Sequence, residues 1–345
     1  MRSARASLLV LTLLASLALS LMAPSSAQAA TKKPARLSVL TFNVCSQGKA
    51  CRDYPEREDA IVRRILSTDA DVVNLQETQG VANKLNKRLR KRGYFMAGST
   101  GPETIFAKSS TLTPVTRTST VTGCHVVEQI YATPATDTSD WDTSRPHQDE
   151  NGTIWYYDHN GRWYYFEEEC VTEKVTVPRY GGFSLNRDGR TAVWAMLRVK
   201  KTNKWYLFVN AHLTSGKNEN AKKRSRETAT LLRKSAKIAD GRPRVFAGDF
   251  NSSIKRGKDT VGQRMKAKGF ADAYTKARSR KNAKYHSATG TGKRPKRGGS
   301  HIDRVFVPRG ASVKSWALDV RTRKGRTARP VPSDHSPVRV VIRLP

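Results

Sequence analysis

The run Arg244-Val245-Phe246-Ala247-Gly248-Asp249-Phe250-Asn251 is apolar and β-type, ends in a tight glycine, and then presents a carboxylate and a carboxamide two positions apart. A strand repeats every two residues, so Asp249 and Asn251 are expected on the same side at its mouth. Oxygen donors displayed this way suit a hard divalent cation or a phosphoryl oxygen, the contacts that phosphate-ester chemistry requires. Taken alone, the pattern also describes an ordinary strand-to-loop turn. Other chemistry-bearing residues stand at the ends of other apolar runs: Asn43, Glu77, His212, Asp303 and the Asp334-His335 pair.

The elements that would position them alternate. Leu37 to Val44 reads as a buried strand with Asn43 near its end. Glu56 to Ser67 carries Ile61, Ile65 and Leu66 at helical spacing, with Pro55 placed for the first turn. Val72 to Gln76 is a second buried strand, with Glu77 at its carboxyl end, and Val81 to Arg92 a second helix that stops at Gly93. Glu103 to Ala107 is a further strand. Arg190 to Val199 and Trp205 to Ala211 follow as consecutive strands, His212 directly after the second, and a basic helix over about Asn218 to Ala239 leads to the Asp249 strand. His301 to Val307 and Val338 to Leu344 close the series. Strand and helix alternating in this way predict an α/β sheet with helices outside and ligand-bearing residues on one rim.

The amino terminus reads differently. Arg2 and Arg5 precede an apolar run from Leu8 to Met22 that ends at an Ala27-Gln28-Ala29 site, so residues 1–30 are expected to be a secretory signal peptide. No later stretch is long and apolar enough to cross a bilayer. The remaining chain, 31–345, fits one large domain with an insertion, or two small domains. Its four cysteines should pair in an exported protein. Of the three possible pairings, Cys45 with Cys51 and Cys124 with Cys170 is chosen as the local one. The formal charge is +34, from 63 Lys and Arg against 29 Asp and Glu, and loss of the leader leaves about +32. Such an excess repels itself, and its natural counterpart is a polyanion: nucleic acid, an anionic membrane or a cell-wall phosphate polymer would all serve.

Two stretches stand outside the alternation. Between Ala273 and Ile302 there is no acidic residue, while Lys281, Arg294 and Arg297 are among the cations of one Gly-rich loop, the best polyanion footprint in the chain. At about 123–181 the pattern is β and loop. There Asn151-Gly152-Thr153-Ile154-Trp155-Tyr156-Tyr157 is echoed by Asn160-Gly161-Arg162-Trp163-Tyr164-Tyr165, two aromatic strands about an Asn-Gly turn. If exposed, these rings suit stacking on bases or entry into a lipid interface.

The ordered set Thr41-Phe42-Asn43, Leu75-Gln76-Glu77, Asn210-Ala211-His212-Leu213, Gly248-Asp249-Phe250-Asn251, Ile302-Asp303-Arg304 and Ser333-Asp334-His335 resembles the endonuclease/exonuclease/phosphatase superfamily, the deoxyribonuclease-type metal phosphoesterases. The resemblance implies a four-layered α/β sandwich, two mixed sheets face to face with helices outside. It implies that Glu77, with Asn43 and Asp334, holds Mg²⁺, with Mn²⁺ or Ca²⁺ as substitutes, and that Asp249 and Asn251 orient the attacking water and the phosphate. His335 held by Asp303 resembles the general base, and His212 the histidine that binds the scissile phosphate or protonates the leaving group. Glu103 stands where the family often carries a carboxylate behind that histidine, and Arg190 matches a phosphate-contacting arginine.

Asn-x-His-Leu separates this chain from abasic-site repair members, and the absence of Trp before Asp303-Arg304 separates it from inositol phosphatases. Two readings remain: a secreted monomeric nuclease acting on DNA or RNA, or a secreted sphingomyelinase-type phospholipid phosphodiesterase that uses the aromatic hairpin at a membrane surface. Charge favours the first. A non-enzymatic polyanion-binding scaffold is disfavoured by the complete set of ligands.

Overall fold

A computed structural model describes residues 34–46, 51, 54–136, 138–216 and 218–345; the expected leader, 1–30, lies outside the described residues. β1 (Ala35–Asn43), β2 (Val72–Gln76), β3 (Tyr94–Ser99), β4 (Glu103–Lys108), β15 (Ser279–Lys281), β17 (Ser312–Leu318) and β20 (Val338–Leu344) make one mixed sheet, in the order β15-β17-β20-β1-β2-β4-β3. The second mixed sheet contains β10 (Tyr180–Ser184), β11 (Thr191–Val199), β12 (Trp205–His212), β13 (Arg244–Asp249), β16 (Asp303–Pro308) and β14 (Phe270–Asp272), in that spatial order, with β5 (Leu112–Pro114) also paired to β11. α1 (Tyr54–Thr68) and α2 (Ala82–Arg90) cover the first sheet; α3 (Ala221–Ala239) and α4 (Thr260–Ala267) cover the second.

Three apolar clusters fill the three spaces between the four layers. Leu37, Val39, Val72, Ile105, Phe208, Val245, Val305 and Trp316 pack between the sheets. Leu40, Phe42, Val73 and Leu75 face Ile61, Ile65, Leu85 and Leu89 of the helices on one side. Leu207, Val209 and Phe246 face Leu231, Leu232, Val261 and Met265 on the other. Each such side chain, once fully buried, stabilises the fold by about 1.5–3 kcal/mol. This is the four-layered sandwich that the sequence implied.

The pleat then fixes where the polar residues go. In β1, Leu37, Val39, Thr41 and Asn43 share the inter-sheet face; in β12 that face is Tyr206, Phe208, Asn210 and His212; in β13 it is Val245, Ala247 and Asp249. β1 runs parallel to β2 and β12 parallel to β13, while Asp249 pairs across the ladder with Asp303 and Thr41 with Val338. The last inward positions of β1, β12 and β13 and the first of β16 therefore gather at one rim. Below them, Gln76 Nε2 donates to Asn210 Oδ1 at 2.6 Å and Asn210 Nδ2 to the Leu75 carbonyl at 2.7 Å, bonds that stitch the two sheets together.

Some boundaries differ from the sequence reading. The insertion spans 116–178 rather than 123–181: β6 (Thr116–Tyr131) and β9 (Trp163–Pro178) form a long ribbon, extended by β8 (Ile154–Tyr157) and β7 (His147–Gln148). Threonine-rich polar strands hide the start of such a ribbon, because they bury no core face. The register sets Cys124 opposite Cys170, and Cys170 is disulfide-bonded; Cys45 and Cys51 form the expected local bridge. Strands β3 and β17 and helix α4 escaped the sequence reading. No helix among the described residues is long and apolar enough to cross a membrane.

Candidate active site

Asn43 lies at the centre of the rim. Its Nδ2 donates to Glu77 Oε1 at 2.9 Å and to Asp249 Oδ2 at 3.3 Å, while its Oδ1 accepts the Cys45 backbone N–H at 3.0 Å. Both histidines turn Nε2 toward the same carboxylate oxygen, Asp249 Oδ2, His212 at 3.5 Å and His335 at 3.9 Å. Behind His335, its Nδ1 bonds Asp303 Oδ2 at 2.8 Å. Residues separated by up to 292 positions in the chain, Asn43 to His335, thus converge within a few bond lengths.

The His335 segment is held by backbone bonds. Ser333 Oγ donates to the Asn43 carbonyl at 2.7 Å and accepts the His335 N–H at 3.1 Å. Ser287 Oγ accepts the N–H groups of Ile302 and Asp303 at 2.9 and 3.0 Å, and its carbonyl accepts the Ser336 N–H at 2.8 Å. Burial alone would strip the charge from the imidazole. The Asp303 carboxylate, with Asp249 and Asp334 farther away, outweighs burial and pushes the His335 pKa up to about 10. His212 goes the other way: burial lowers its pKa below the ordinary histidine value, against the opposing pull of Asp249.

Sharp turns at the strand ends aim the oxygen donors. Glu77 and Asn251 are non-glycine residues with φ of +56° and +48°, in the left-handed region, and each costs about 1 kcal/mol or more that the surrounding contacts must offset. Asn251 is not placed by the pleat as the sequence spacing implied, because β13 stops at Asp249. Instead its backbone N–H bonds Asp249 Oδ1 at 2.9 Å, and its Nδ2 bonds the Leu213 carbonyl at 3.0 Å. Gly248 is required for a different reason: a Cβ there would stand 2.0 Å from the Ala211 carbonyl oxygen.

Glu77, Glu103, Arg190 and His212 line an open cleft of about 420 Å³. Glu103 does not back His212. The structure pairs it with two hydroxyls, Thr100 at 3.0 Å and Thr191, because the start of β4 delivers it against β11; the carboxylate nearest His212 is Asp249. Burial raises the Glu103 pKa to about 7 against the threonine bonds and the field of Arg190. Asp334 is half-buried with Oδ1 3.4 Å from Cys51 Sγ, beside the disulfide rather than against Glu77.

Lys281 belongs to edge strand β15, not to a loop. Opposite Ala317, it sits at the rim end of the sheet, three strands from β1, or about 14 Å at ordinary strand spacing. Arg294 and Arg297 are exposed on the 282–300 loop, the latter with its guanidinium 5.7 Å from the Tyr285 ring centroid. Arg57 escaped the sequence reading. Buried in α1, it donates to the carbonyls of Val44, Cys45 (2.9 Å), Cys51 (2.6 Å) and Pro332, tying the end of β1 to the His335 segment. Helical spacing marked its neighbours Ile61 and Ile65, but an arginine on that stripe reads as solvent-facing.

The donor set fits a hard divalent cation. Two carboxylates, Glu77 and Asp249, converge on the single Asn43 amide group, which neutralises only part of their charge; a half-turn of that amide would present its oxygen instead. All are oxygen ligands, as Mg²⁺ or Mn²⁺ prefers.

Two packed mixed sheets carrying carboxylates, amides and two imidazoles on one rim define a phosphoester hydrolase. The family profile described as "Endonuclease/Exonuclease/phosphatase family" matches residues 40–335, and the chain belongs to that family, whose members hydrolyse phosphoesters and generally use divalent metals. No curated protein sequence matches. Solved structures share the fold. An endonuclease/exonuclease/phosphatase family protein from Bacteroides thetaiotaomicron is 19% identical over 91% of this chain and 97% of its own, with a TM-score of 0.57. A mannosyl-6-phosphatase from the same organism is 18% identical over 89% and 99%, with a TM-score of 0.53. TDP2 from D. rerio, complexed with a single-strand DNA product, is 15% identical over 90% and 99%, also at 0.53.

Proposed function

We propose that the chain is a secreted, monomeric, divalent-metal-dependent phosphodiesterase that cuts nucleic acid. The observation that carries the substrate class is the placement of the basic loop. Residues 282–300 contain no acid, and they are bonded to the catalytic segment itself, through Ser287 Oγ to the Asp303 N–H, the Ser287 carbonyl to the Ser336 N–H, and the Gly290 N–H to the Asp334 carbonyl at 2.7 Å. A strand bound in the cleft would find that positive surface beside it. The Cys45–Cys51 disulfide, the disulfide-bonded Cys170 and the leader-like amino terminus support export.

Glu77 and Asp249, with Asn43, would hold the metal, which supplies charge neutralisation to the phosphoryl oxygens. Arg190 and neutral His212 are placed to bind those oxygens from the cleft side. The lowered His212 pKa favours a hydrogen-bonding role over proton delivery. Asp249 and Asn251 orient water, and Asp303 makes His335 a strong proton acceptor that keeps the proton it takes. Neutral His335 is the reactive form, so this step quickens as pH rises.

The membrane-wedge alternative loses support from the 116–178 insertion, an arm that stands off the body. It holds 11 of the chain's 29 acidic residues and only 4 of its 63 basic ones, so it offers no basic surface to an anionic bilayer, and a zwitterionic sphingomyelin head group gives no reason for the positive charge of the rest of the chain. The test is to offer the purified protein plasmid DNA, RNA and sphingomyelin vesicles side by side, with Mg²⁺ and with chelator. Magnesium-dependent cleavage of nucleic acid is expected; cleavage of sphingomyelin alone would replace the nuclease with the lipid phosphodiesterase.

A further inference from the structure

We propose that the hairpin of β18 (Thr322–Arg323) and β19 (Arg326–Thr327) is the second half of a nucleic-acid backbone track, joined to the 289–297 loop and leading away from the catalytic rim toward the β15 edge. This deepens the nuclease reading and rests on it for the identity of the bound polymer.

The hairpin and the loop are stapled together. Thr327 N–H and Oγ1 donate to the carbonyls of Lys293 and Gly292, both at 2.9 Å, and Arg329 Nη2 to the Thr291 carbonyl at 3.1 Å. The same loop is fixed to the Asp334 carbonyl by Gly290, so the double-loop surface is continuous with the catalytic segment. Its charge is of one sign. Lys293, Arg294 and Lys296 are exposed on the loop, Arg323, Lys324 and Arg326 on the hairpin, and no acid occurs between Val320 and Ser333.

Arg323 and Arg326 are directly opposite each other in the ladder. Like charges in that position destabilise an antiparallel pair, and no acidic side chain among the described residues neutralises either. A hairpin that binds nothing has no use for this arrangement; a row of phosphates removes the repulsion. The opposite side of the molecule carries the acidic insertion, whose charge repels a phosphate backbone. The acidic arm springs from the β5 and β10 side of the second sheet, whereas the stapled loops stand at the β15 and β17 side of the first. Charge therefore favours a path toward the hairpin over one toward the insertion.

The test compares two variants with equal loss of charge. R323Q/K324Q/R326Q removes the hairpin cations. K200Q/K201Q/K204Q removes three exposed lysines in the turn between β11 and β12, at the end of the sheet remote from His212. Binding of fluorescein-labelled (dT)16 is followed by anisotropy in chelator across a salt series, with thermal melting to verify folding. The slope of log K against log salt should fall by about 2 for the hairpin variant and hold for the remote one. R323Q alone should give about a third of that fall. An equal fall for both triples, or none for the hairpin, overturns the track. So does a hairpin-dependent loss of binding to phosphatidylglycerol vesicles with (dT)16 binding intact. Hydrolysis of bis-p-nitrophenyl phosphate by the wild-type protein, measured separately, distinguishes failure of the enzymatic reading from failure of the track.

Discussion

Glu103→Gln tests whether the cleft carboxyl is held neutral by its surroundings. Glu103 is 2% exposed, accepts hydrogen bonds from Thr100 and Thr191, and has its pKa raised by burial from 4.5 to about 7. A carboxyl whose folded pKa exceeds its unfolded one contributes stability that is fully present below the unfolded value and is lost as pH rises through the folded one. The window here runs from about 4.5 to about 7. At 1.36 kcal/mol per unit, the loss amounts to about 3 kcal/mol, a large share of the 5–15 kcal/mol that typically separates folded from unfolded chains. Glutamine keeps the shape and removes the titration. Urea unfolding in chelator at pH 4, 6 and 8 should therefore show the stability difference, variant minus wild type, growing by about 3 kcal/mol across the series. A difference that stays flat with pH would mean that Glu103 ionises as it does in water, and that the burial argument for this cleft is wrong.

Asp303→Asn should leave the fold intact, by circular dichroism, while lowering kcat by two to four decades, because His335 loses the carboxylate that raises its proton affinity. Chelator should abolish hydrolysis and Mg²⁺ or Mn²⁺ restore it, and Glu77→Gln should raise the metal concentration needed for half-maximal rate. Arg57→Met should destabilise the protein by about 3–5 kcal/mol in urea unfolding, since four carbonyls lose a charged donor; Arg57→Lys should recover only part, lacking the planar fork.

The framework was legible because the apolar runs had clear periods and the chemistry sat at their ends. Asn43, His212 and Asp249 continue the inward phase of Leu37, Phe208 and Val245, so the pleat alone predicts where they face. The resemblance then supplied the convergence of segments that no local pattern could bring together. What stayed hidden depends on partners distant in sequence. Glu103 has a carboxylate's ordinary look, yet Thr191, on a strand of the other sheet, decides its surroundings. Arg57 and Ser287 read as surface polar residues until the turns that they bind are in place. Strand β17 alternates weakly because its ladder with β20 slips between Val313 and Ser315.

The arm leaves and rejoins the body at a single point in the sheet. The Arg179 N–H donates to the Val115 carbonyl at 2.7 Å, and both residues bond Met196. The roughly sixty residues between them are a detour whose two ends already touch, and closure entropy grows so slowly with length that the body gains little by having the detour short. None of the bonds that hold Asn43, Glu77, Asp249, Asp303 and His335 together runs through the ribbon, so its length is free to vary without reaching them.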